Sequence, residues 1–352
     1  DHAADTQYTL ISCASAGNCT AAGWSFSYRD NVGNTFTATS INGIWSEVQV
    51  IATFSVQSLS CTTSSDCTAA GYVTDPNGNA LAATVTLNGG VWGLPQTVGI
   101  DTSLQPADYP DSHLLSISCS SPGNCTAVGY YTDVNWNWQS LMATSTNGVW
   151  VTNAASTYAG ALDGNVTYSY LSAVSCNGAG SCGAAGLVGV QSGERMAIST
   201  VELGGAWTSG VAASFEPGVS QALRDDSFND ISCTGPANCT AVGTFTDVNG
   251  NYPAMTQSFH APLPTAPVNL SVVPAPGHVI VTWEAPLETY GSTVMGYRVV
   301  VSRAGNRAIV STLSVPESVH QVIPALPAGN YVITLAAATT NGIGATASTS
   351  PV

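Results

Sequence analysis

The sequence predicts an all-β chain of two domains, the first built from a four-strand unit repeated five times. Three observations lead there. A cysteine pair recurs at one spacing, as Cys13/Cys19, Cys61/Cys67, Cys119/Cys125, Cys176/Cys182 and Cys233/Cys239, and these pairs use all ten cysteines. Each pair follows a serine and opens a small-residue run: CTAAG, CTAAG, CTAVG, CGAAG, CTAVG. The unit is about fifty residues long and shows no helical period. Short strands repeated at that length are the mark of a β-propeller. The expected first domain is therefore a five-bladed β-propeller with one disulfide per blade, over residues 1–262.

The third copy gives the strands in order. LLSISC, residues 114–119, alternates as a strand, and SSPGN is a turn. CTAVGYYT is the second strand, DVNWNW a hairpin tip, QSLMATST the third strand and VWVT the fourth. The turn before the fourth strand recurs as INGIW at Ile41–Trp45, LNGGVW at Leu87–Trp92, TNGVW at Thr146–Trp150 and LGGAW at Leu203–Trp207. Asn-Gly and Gly-Gly supply the positive φ values that a tight hairpin requires. A tryptophan recurring once per unit is expected to pack between neighbouring blades. The Cys pair bridges the first two strands, and closing so short a loop contributes roughly 2–3 kcal/mol in the chain-entropy model. The fifth copy stops after YPAMTQSFH without a Gly-x-Trp strand. DTQYTLIS, ahead of Cys13, is long enough to supply a missing outer strand, so closure by the chain ends is expected.

This pattern resembles secreted actinobacterial proteins with repeated S-C-x5-C-x-A-x-G blades. The Asn-Gly-x-Trp turn is similar to a degenerate Asp-box of sialidase-type propellers, departing from it where Asn42, Asn88 and Asn147 replace the Asp. The resemblance covers residues 9–260 and implies the propeller fold.

PLPTAP, Pro262 to Pro267, reads as a short semi-rigid linker, with residues 263–266 between the domains. Beyond it come APVNLSV, VTWEAP with Trp283 and Pro286, and GYRVVV with Tyr297. LPAGNYVITLAAATTNGIG then carries Leu326, Tyr331, Ala337, Asn341 and Gly344. Residues 267–352 resemble a fibronectin type III domain, and Leu-Pro ahead of Tyr331 matches the tyrosine corner of such sandwiches. The resemblance implies a spacer module.

Composition narrows the function. The chain has no Lys, and its net charge is −15. Up to residue 264 there are 18 acidic and 3 basic residues, and beyond it 3 and 3. Nucleic acid is disfavoured as a partner, because phosphate binding needs a basic footprint. No run of eighteen apolar residues is present, so no membrane span is expected. The paired cysteines suit an oxidising compartment, secreted or at the cell surface. The chain opens at Asp1, as expected of a mature chain freed of a signal peptide. The Cys spacing does not suit zinc and the five His are scattered, so no metal or cofactor is expected.

No nucleophile, zinc-protease or phosphate-loop motif occurs. Topology is more informative. The second–third hairpins and the fourth-to-first connections share one end of the propeller. That end collects Asp101, Asp108, Tyr109, Asp111 and His113, then Tyr158, Asp163, Tyr168 and Tyr170, then Glu216, Arg224, Asp225, Asp226 and Asp230. Hairpin tips add Asp30, Asp75, Asp133 and Asp247, with Trp136 and Trp138. Variable loops on a rigid scaffold are where binding usually lives. Candidate ligand-binding residues are Trp136, Trp138, Tyr109, Asp111, Asp163 and Asp226. Two readings of the Trp pair stand open: platforms that stack on sugar rings, or covers for the next blade. Asp-x-Asn-Gly-Asn at Asp75–Asn79 and Asp247–Asn251 is also plain turn chemistry. Asn-x-Thr/Ser occurs at Asn18, Asn124, Asn165, Asn238 and Asn269, as glycan acceptors or turn residues.

The expected function is a secreted, non-catalytic surface, adhesion or assembly protein, such as a filament or surface-layer subunit. It would bind itself, other proteins or extracellular polysaccharide. The alternative is a glycoside hydrolase or a lectin, using the acidic and aromatic end. A glycosidase needs two carboxylates about 5–10 Å apart.

Overall fold

The computed structural model describes residues 5–27, 32–51, 53–106, 108–153, 166–191, 193–203, 206–208, 210–213, 225–235, 238–259, 263–276, 278–289, 293–316, 320–324, 326–339 and 342–352. These are all-β apart from one short 3-10 turn, Thr102–Leu104. The chain divides into two compact units, residues 1–234 with 239–258, and 235–238 with 259–352. Among the described residues no helix is long and apolar enough to cross a membrane.

Five antiparallel sheets follow one another through the first unit, one per cysteine repeat. The third runs Ser112–Ser121, Asn124–Thr132, Trp138–Thr146, Val149–Asn153, as the sequence predicts. In the first, second and fourth sheets the outer strand is split into two short pieces, both paired with the third strand.

All ten cysteines form local disulfides, each Cys joined to the one six residues on: Cys13–Cys19, Cys61–Cys67, Cys119–Cys125, Cys176–Cys182 and Cys233–Cys239. The second cysteine is the buried end of the bridge. Cys67, Cys125, Cys182 and Cys239 are 2 %, 4 %, 2 % and 3 % exposed, so they are core residues. Cys182 packs with Leu171, Val174 and Ala184. The Cys233–Cys239 bridge lies so close to Gly183 of the preceding repeat that a Cβ there would be 2.6 Å from Cys239 Sγ. At this position the fourth repeat alone reads CGAAG where its sisters carry Thr.

The other repeated small residues also have a cause. The first strand slips register at Tyr8/Leu10, Val56/Ser58, Leu114/Ser116 and Leu171/Ala173, a β-bulge in each of four sheets. The bulge pushes a carbonyl at the glycine of the neighbouring strand. A Cβ on Gly23, Gly71, Gly129 or Gly186 would lie 1.9, 1.9, 2.0 or 2.1 Å from that oxygen. No other residue fits there. The Cys loop and the Asn-Gly turn also brace one another. Gly17 O accepts from Gly43 N–H and Gly123 O from Gly148 N–H, both at 2.8 Å. Asn18 Oδ1 accepts from Asn42 N–H and Asn124 Oδ1 from Asn147 N–H, both at 3.1 Å. These two glycosylation-like asparagines thus serve as turn residues.

Sheet stacks on sheet through one recurring junction. The serine before the first Cys accepts a hydrogen bond from the first-Cys N–H of the next repeat. The pairs are Ser12 to Cys61 at 2.9 Å, and Ser60 to Cys119, Ser118 to Cys176 and Ser175 to Cys233 at 3.0 Å. Thr20, Thr68 and Thr126 lie against Cys67, Cys125 and Cys182, the buried sulfurs of the following repeats. Apolar clusters fill the same junctions. Ala70, Ala82, Leu114, Ile117 and Ala127 pack with Trp150, and Val128, Met142, Leu171, Val174 and Ala184 with Trp207. Trp92, Trp150 and Trp207 are thereby drawn into the apolar clusters, as expected.

Closure by the chain ends is not found among the described residues. Asp5–Ser15 is the first strand of the first sheet and pairs with Asn18–Ser27, while the fifth sheet holds Ser227–Gly235, Asn238–Thr244 and Ala254–Phe259. The segment ahead of Cys13 is consumed by its own repeat. Trp45 correspondingly departs from its sisters, remaining 49 % exposed.

The second unit is a sandwich. One sheet orders Pro267–Ala275, His278–Pro286, His320–Pro324, and the other Ile309–Val315, Val294–Arg303, Tyr331–Thr339, Gly342–Ser348. Its core is Trp283, Tyr297, Val299, Ile323, Ile333 and Leu335. Tyr331 OH donates to Pro327 O at 2.5 Å. Two residues of the Pro-rich stretch bond into this unit: Pro264 O accepts from Ala345 N–H, and Thr265 N–H donates to Glu288 O.

Candidate binding cleft

Three hairpin tips share one backbone. In Asp75–Asn79, Asp133–Asn137 and Asp247–Asn251, the Asp Oδ1 accepts from the N–H groups two and four residues on, at 2.8–3.0 Å. The second oxygen accepts from Asn79 Nδ2, Gln139 Nε2 or Asn251 Nδ2. These bonds to the ionised form hold Asp75 and Asp247 below the usual carboxylate range, led by the Asn79 backbone and the Asn251 side chain respectively. The fourth tip position needs a left-handed backbone. Gly78 and Gly250 provide it at φ 89° and 79°, but in the third repeat the residue is Trp136, at φ 67°. A bulky side chain held there costs about 1–2 kcal/mol.

Trp136 is 65 % exposed and Trp138, two residues on, is 45 % exposed. Both line a cleft of about 480 Å³ with Asn137, Tyr168, Tyr170, Leu187 and Arg195. Trp136 and Trp138 come from the third repeat, and the other side chains, Asn137 apart, from the fourth. Aromatic contacts continue along the floor: Trp138 lies 4.8 Å from Tyr130 and 6.4 Å from Tyr170, and Tyr130 stacks on His113 at 4.9 Å. Tyr109 flanks Trp136 at 5.8 Å.

Polar groups edge the aromatic floor. Arg195 Nη1 lies 3.4 Å from Asp225 Oδ1. Tyr168 and then Asp225 raise the Arg195 pKa, keeping it cationic. Burial, with Asp111 adding to it, pushes the Tyr130 hydroxyl up to about 12. Burial likewise raises Tyr170. Both phenols stay protonated at neutral pH and can donate hydrogen bonds.

The structure brings three of the six expected ligand-binding residues together: Trp136, Trp138 and Tyr109. Asp111 is an internal brace, its carboxylate held by His113 Nε2 at 3.2 Å and Thr132 Oγ1 at 3.3 Å. Asp226 is 2 % exposed and accepts from Thr246 N–H, so it belongs to the fold and not to an open surface. Asp163 lies outside the described residues, as do Asp30, Tyr158, Asn165, Glu216 and Arg224. Arg195, Tyr130 and Leu187 join the site without a signal in the sequence. Among the described residues no group of three or more His, Cys, Asp or Glu is placed to hold a metal ion.

No family model matches the chain, and no curated protein matches it in sequence. Solved structures with partial likeness include a sucrose-6-phosphate hydrolase from Lactobacillus gasseri, at 8 % identity and TM-score 0.36 over 97 % of this chain and 85 % of that one. The Hadza microbial sialidase Hz136 aligns at 9 % identity and TM-score 0.40, over 96 % of this chain and 64 % of its own length. The six-bladed β-propeller lectin of Aleuria aurantia, with its fucose recognition mode, aligns at 14 % identity and TM-score 0.39, over 92 % of this chain and all of that one. Scores this low define neither a family nor an activity.

Proposed function

We propose that the chain is an extracellular, non-catalytic carbohydrate-binding protein, whose aromatic cleft between the third and fourth repeats takes a neutral glycan. The observation that carries this reading is Trp136. It occupies a left-handed position that its sister tips fill with glycine, and its ring stands in solvent. Strain kept at an exposed aromatic is not offset by packing, and such outliers point to function. Flat rings suit the apolar faces of sugars, and Asn137, Tyr168 and Arg195 at the rim suit their hydroxyls. A binding role is favoured over hydrolysis because the carboxylates at the margin are engaged, Asp133 in its own turn and Asp225 by Arg195. The local disulfides fit an oxidising compartment. On this reading the repeats are propeller-type blades, and residues 267–352 are a fibronectin type III module acting as a spacer. Strand order and the Tyr331–Pro327 bond support that assignment.

The test is binding to a panel of neutral polysaccharides and to a glycan array, followed by titration with tryptophan fluorescence. Replacing Trp136 and Trp138 together by Ala should weaken binding about thirtyfold or more, as expected of hot-spot aromatics worth about 2 kcal/mol. Because both rings are exposed, the melting temperature should barely move. Binding that survives the double substitution would refute the assignment of the cleft, and sugar release by the native chain would refute the non-catalytic reading.

A further inference from the structure

The two end sheets of the repeat array each expose half of the junction that joins every internal pair. Ile117, Val174 and Ile231, two residues before the first Cys of their repeats, are 5 %, 7 % and 5 % exposed, because the preceding sheet covers them. Ile11 holds the same position in the first repeat and is 64 % exposed. Around it Tyr8, Leu10, Ala21, Ala38 and Trp45 line an open hollow of about 560 Å³. The fifth sheet shows the opposite half. Ala22, Ala70, Val128 and Ala185 are fully buried under the following sheet, whereas Val242, their counterpart, is 42 % exposed. Thr240 and Ser232 are also exposed, at the positions where Thr20, Thr68 and Thr126 meet the next disulfide and Ser12, Ser60, Ser118 and Ser175 accept the next N–H.

We infer that these two faces are complementary halves of one interface, and that the occupant of each is a second copy of this chain, docked head to tail. Four internal junctions already show what such a contact looks like. A fifth, between chains, would place Ser232 Oγ of one copy against the Cys13 N–H of the next, Thr240 on its Cys13–Cys19 disulfide, and Val242 in the hollow of Ile11 and Trp45. None of these residues is charged, so they offer no repulsion to the approach. The contact is heterologous, using different surfaces on the two copies, and it extends into chains unless the rotation closes a ring. The inference rests on the end sheets alone and is independent of the glycan reading.

The experiment is sedimentation or mass photometry of the full chain across a concentration series, with Ile11→Arg and Val242→Arg. The native chain should gain mass as concentration rises. Each variant alone should stay monomeric or lose at least tenfold in association, because one of its two faces is blocked. Mixing the two should restore a 1:1 dimer and nothing larger, since the Ile11→Arg chain keeps its fifth-sheet face and the Val242→Arg chain keeps its first-sheet face. Both positions are exposed in the monomer, so folding should be intact, as the melting temperature will report. A native chain that remains monomeric at every concentration overturns the inference. If the Ile11→Arg variant then also melts much lower, the two faces meet within one chain, which overturns it as well. Assembly that neither substitution affects would place the contact elsewhere and likewise defeat it.

Discussion

The tip of the third repeat and those of the second and fifth repeats have the same skeleton and different contents. In all three, an Asp gathers the N–H groups two and four residues ahead, and the fourth residue's own N–H returns to the Asp carbonyl at 2.9–3.0 Å. Two tips place glycine in the left-handed slot. The third places Trp136 there and opens onto an aromatic cleft. The difference teaches that the turn chemistry is scaffold, and that one residue tolerated on it against its own preference marks the cleft proposed for binding. The acidic residues that first draw the eye at this end of the molecule are mostly the scaffold.

The largest expected effect comes from breaking the scaffold under the Trp. Asp133→Ala removes the acceptor for Asn135 N–H, Asn137 N–H and Gln139 Nε2 together. Glycan binding should fall at least about tenfold although both Trp remain, and amide exchange at Asn135 and Asn137 should accelerate by a similar factor. Asp75→Ala should speed exchange at its own tip and leave binding unchanged. Equal loss of binding from both would mean that the tips act as one surface, and the comparison would fail.

Exchanging the contents should change stability only slightly. Trp136→Gly relieves a left-handed Trp and should stabilise the chain by about 1 kcal/mol, near 2–4 °C in melting temperature for a domain of this size. Binding should be lost in the same variant. Gly78→Trp should cost a similar amount and confer no binding, because the second tip lacks the partners that Tyr170 and Arg195 provide at the third. A destabilised Trp136→Gly chain would show that the ring is packing material, a cover for the next blade and not a sugar platform.

How much of this is legible in the sequence follows from which contacts lie inside one repeat. Local disulfides, strand order and Asn-Gly turns all close within about forty residues, and the spacing of Cys119, Cys125 and Trp150 reveals them. Contacts between repeats are less visible. The spacing pairs Cys176 with Cys182 and Cys233 with Cys239, but it does not say that Cys182 and Cys239 are the buried ends against which the preceding repeat packs. The serine before each first Cys stands out in the pattern, yet its role depends on the next sheet's N–H. The repeated glycines suggest close approach between blades, whereas Gly129 in fact yields to the His113 carbonyl of its own bulge. Chain-end closure rests on strand counting, which cannot tell a segment that completes a distant sheet from one that begins its own. The cleft is half legible. Topology gathers Trp136, Trp138, Tyr109, Tyr168 and Tyr170 at one end, but the register that brings Arg195 beside them belongs to the fourth repeat alone. Asp226 cannot be told from an exposed acceptor, because burial of a single carboxylate has no sequence signature.

The smallest and most diagnostic effect concerns pH, where tip and sheet interior should respond with opposite sign. Asp75 and Asp247 are held below their ordinary value of 3.8 by hydrogen bonds to the ionised form. Their folded pKa is depressed, so the stability they contribute is present above 3.8 and is lost as pH falls through the folded value. Glu202 behaves inversely. It is 1 % exposed, its Oε2 has no hydrogen-bond partner among the described residues, and burial raises its pKa above the ordinary 4.5. A raised folded pKa contributes stability below 4.5 that disappears as pH rises through the folded value. Melting temperature should therefore decline on the neutral side because of Glu202 and on the acid side because of the tip aspartates. Glu202→Gln should flatten the neutral limb and leave the acid limb in place. Substituting Asn for Asp75 and Asp247 should flatten the acid limb alone. If Glu202→Gln instead lowers the melting temperature at about pH 7, where an unperturbed carboxyl is fully charged, the buried carboxylate is ionised and partnered in solution, and the sheet interior is not the neutral environment inferred for it.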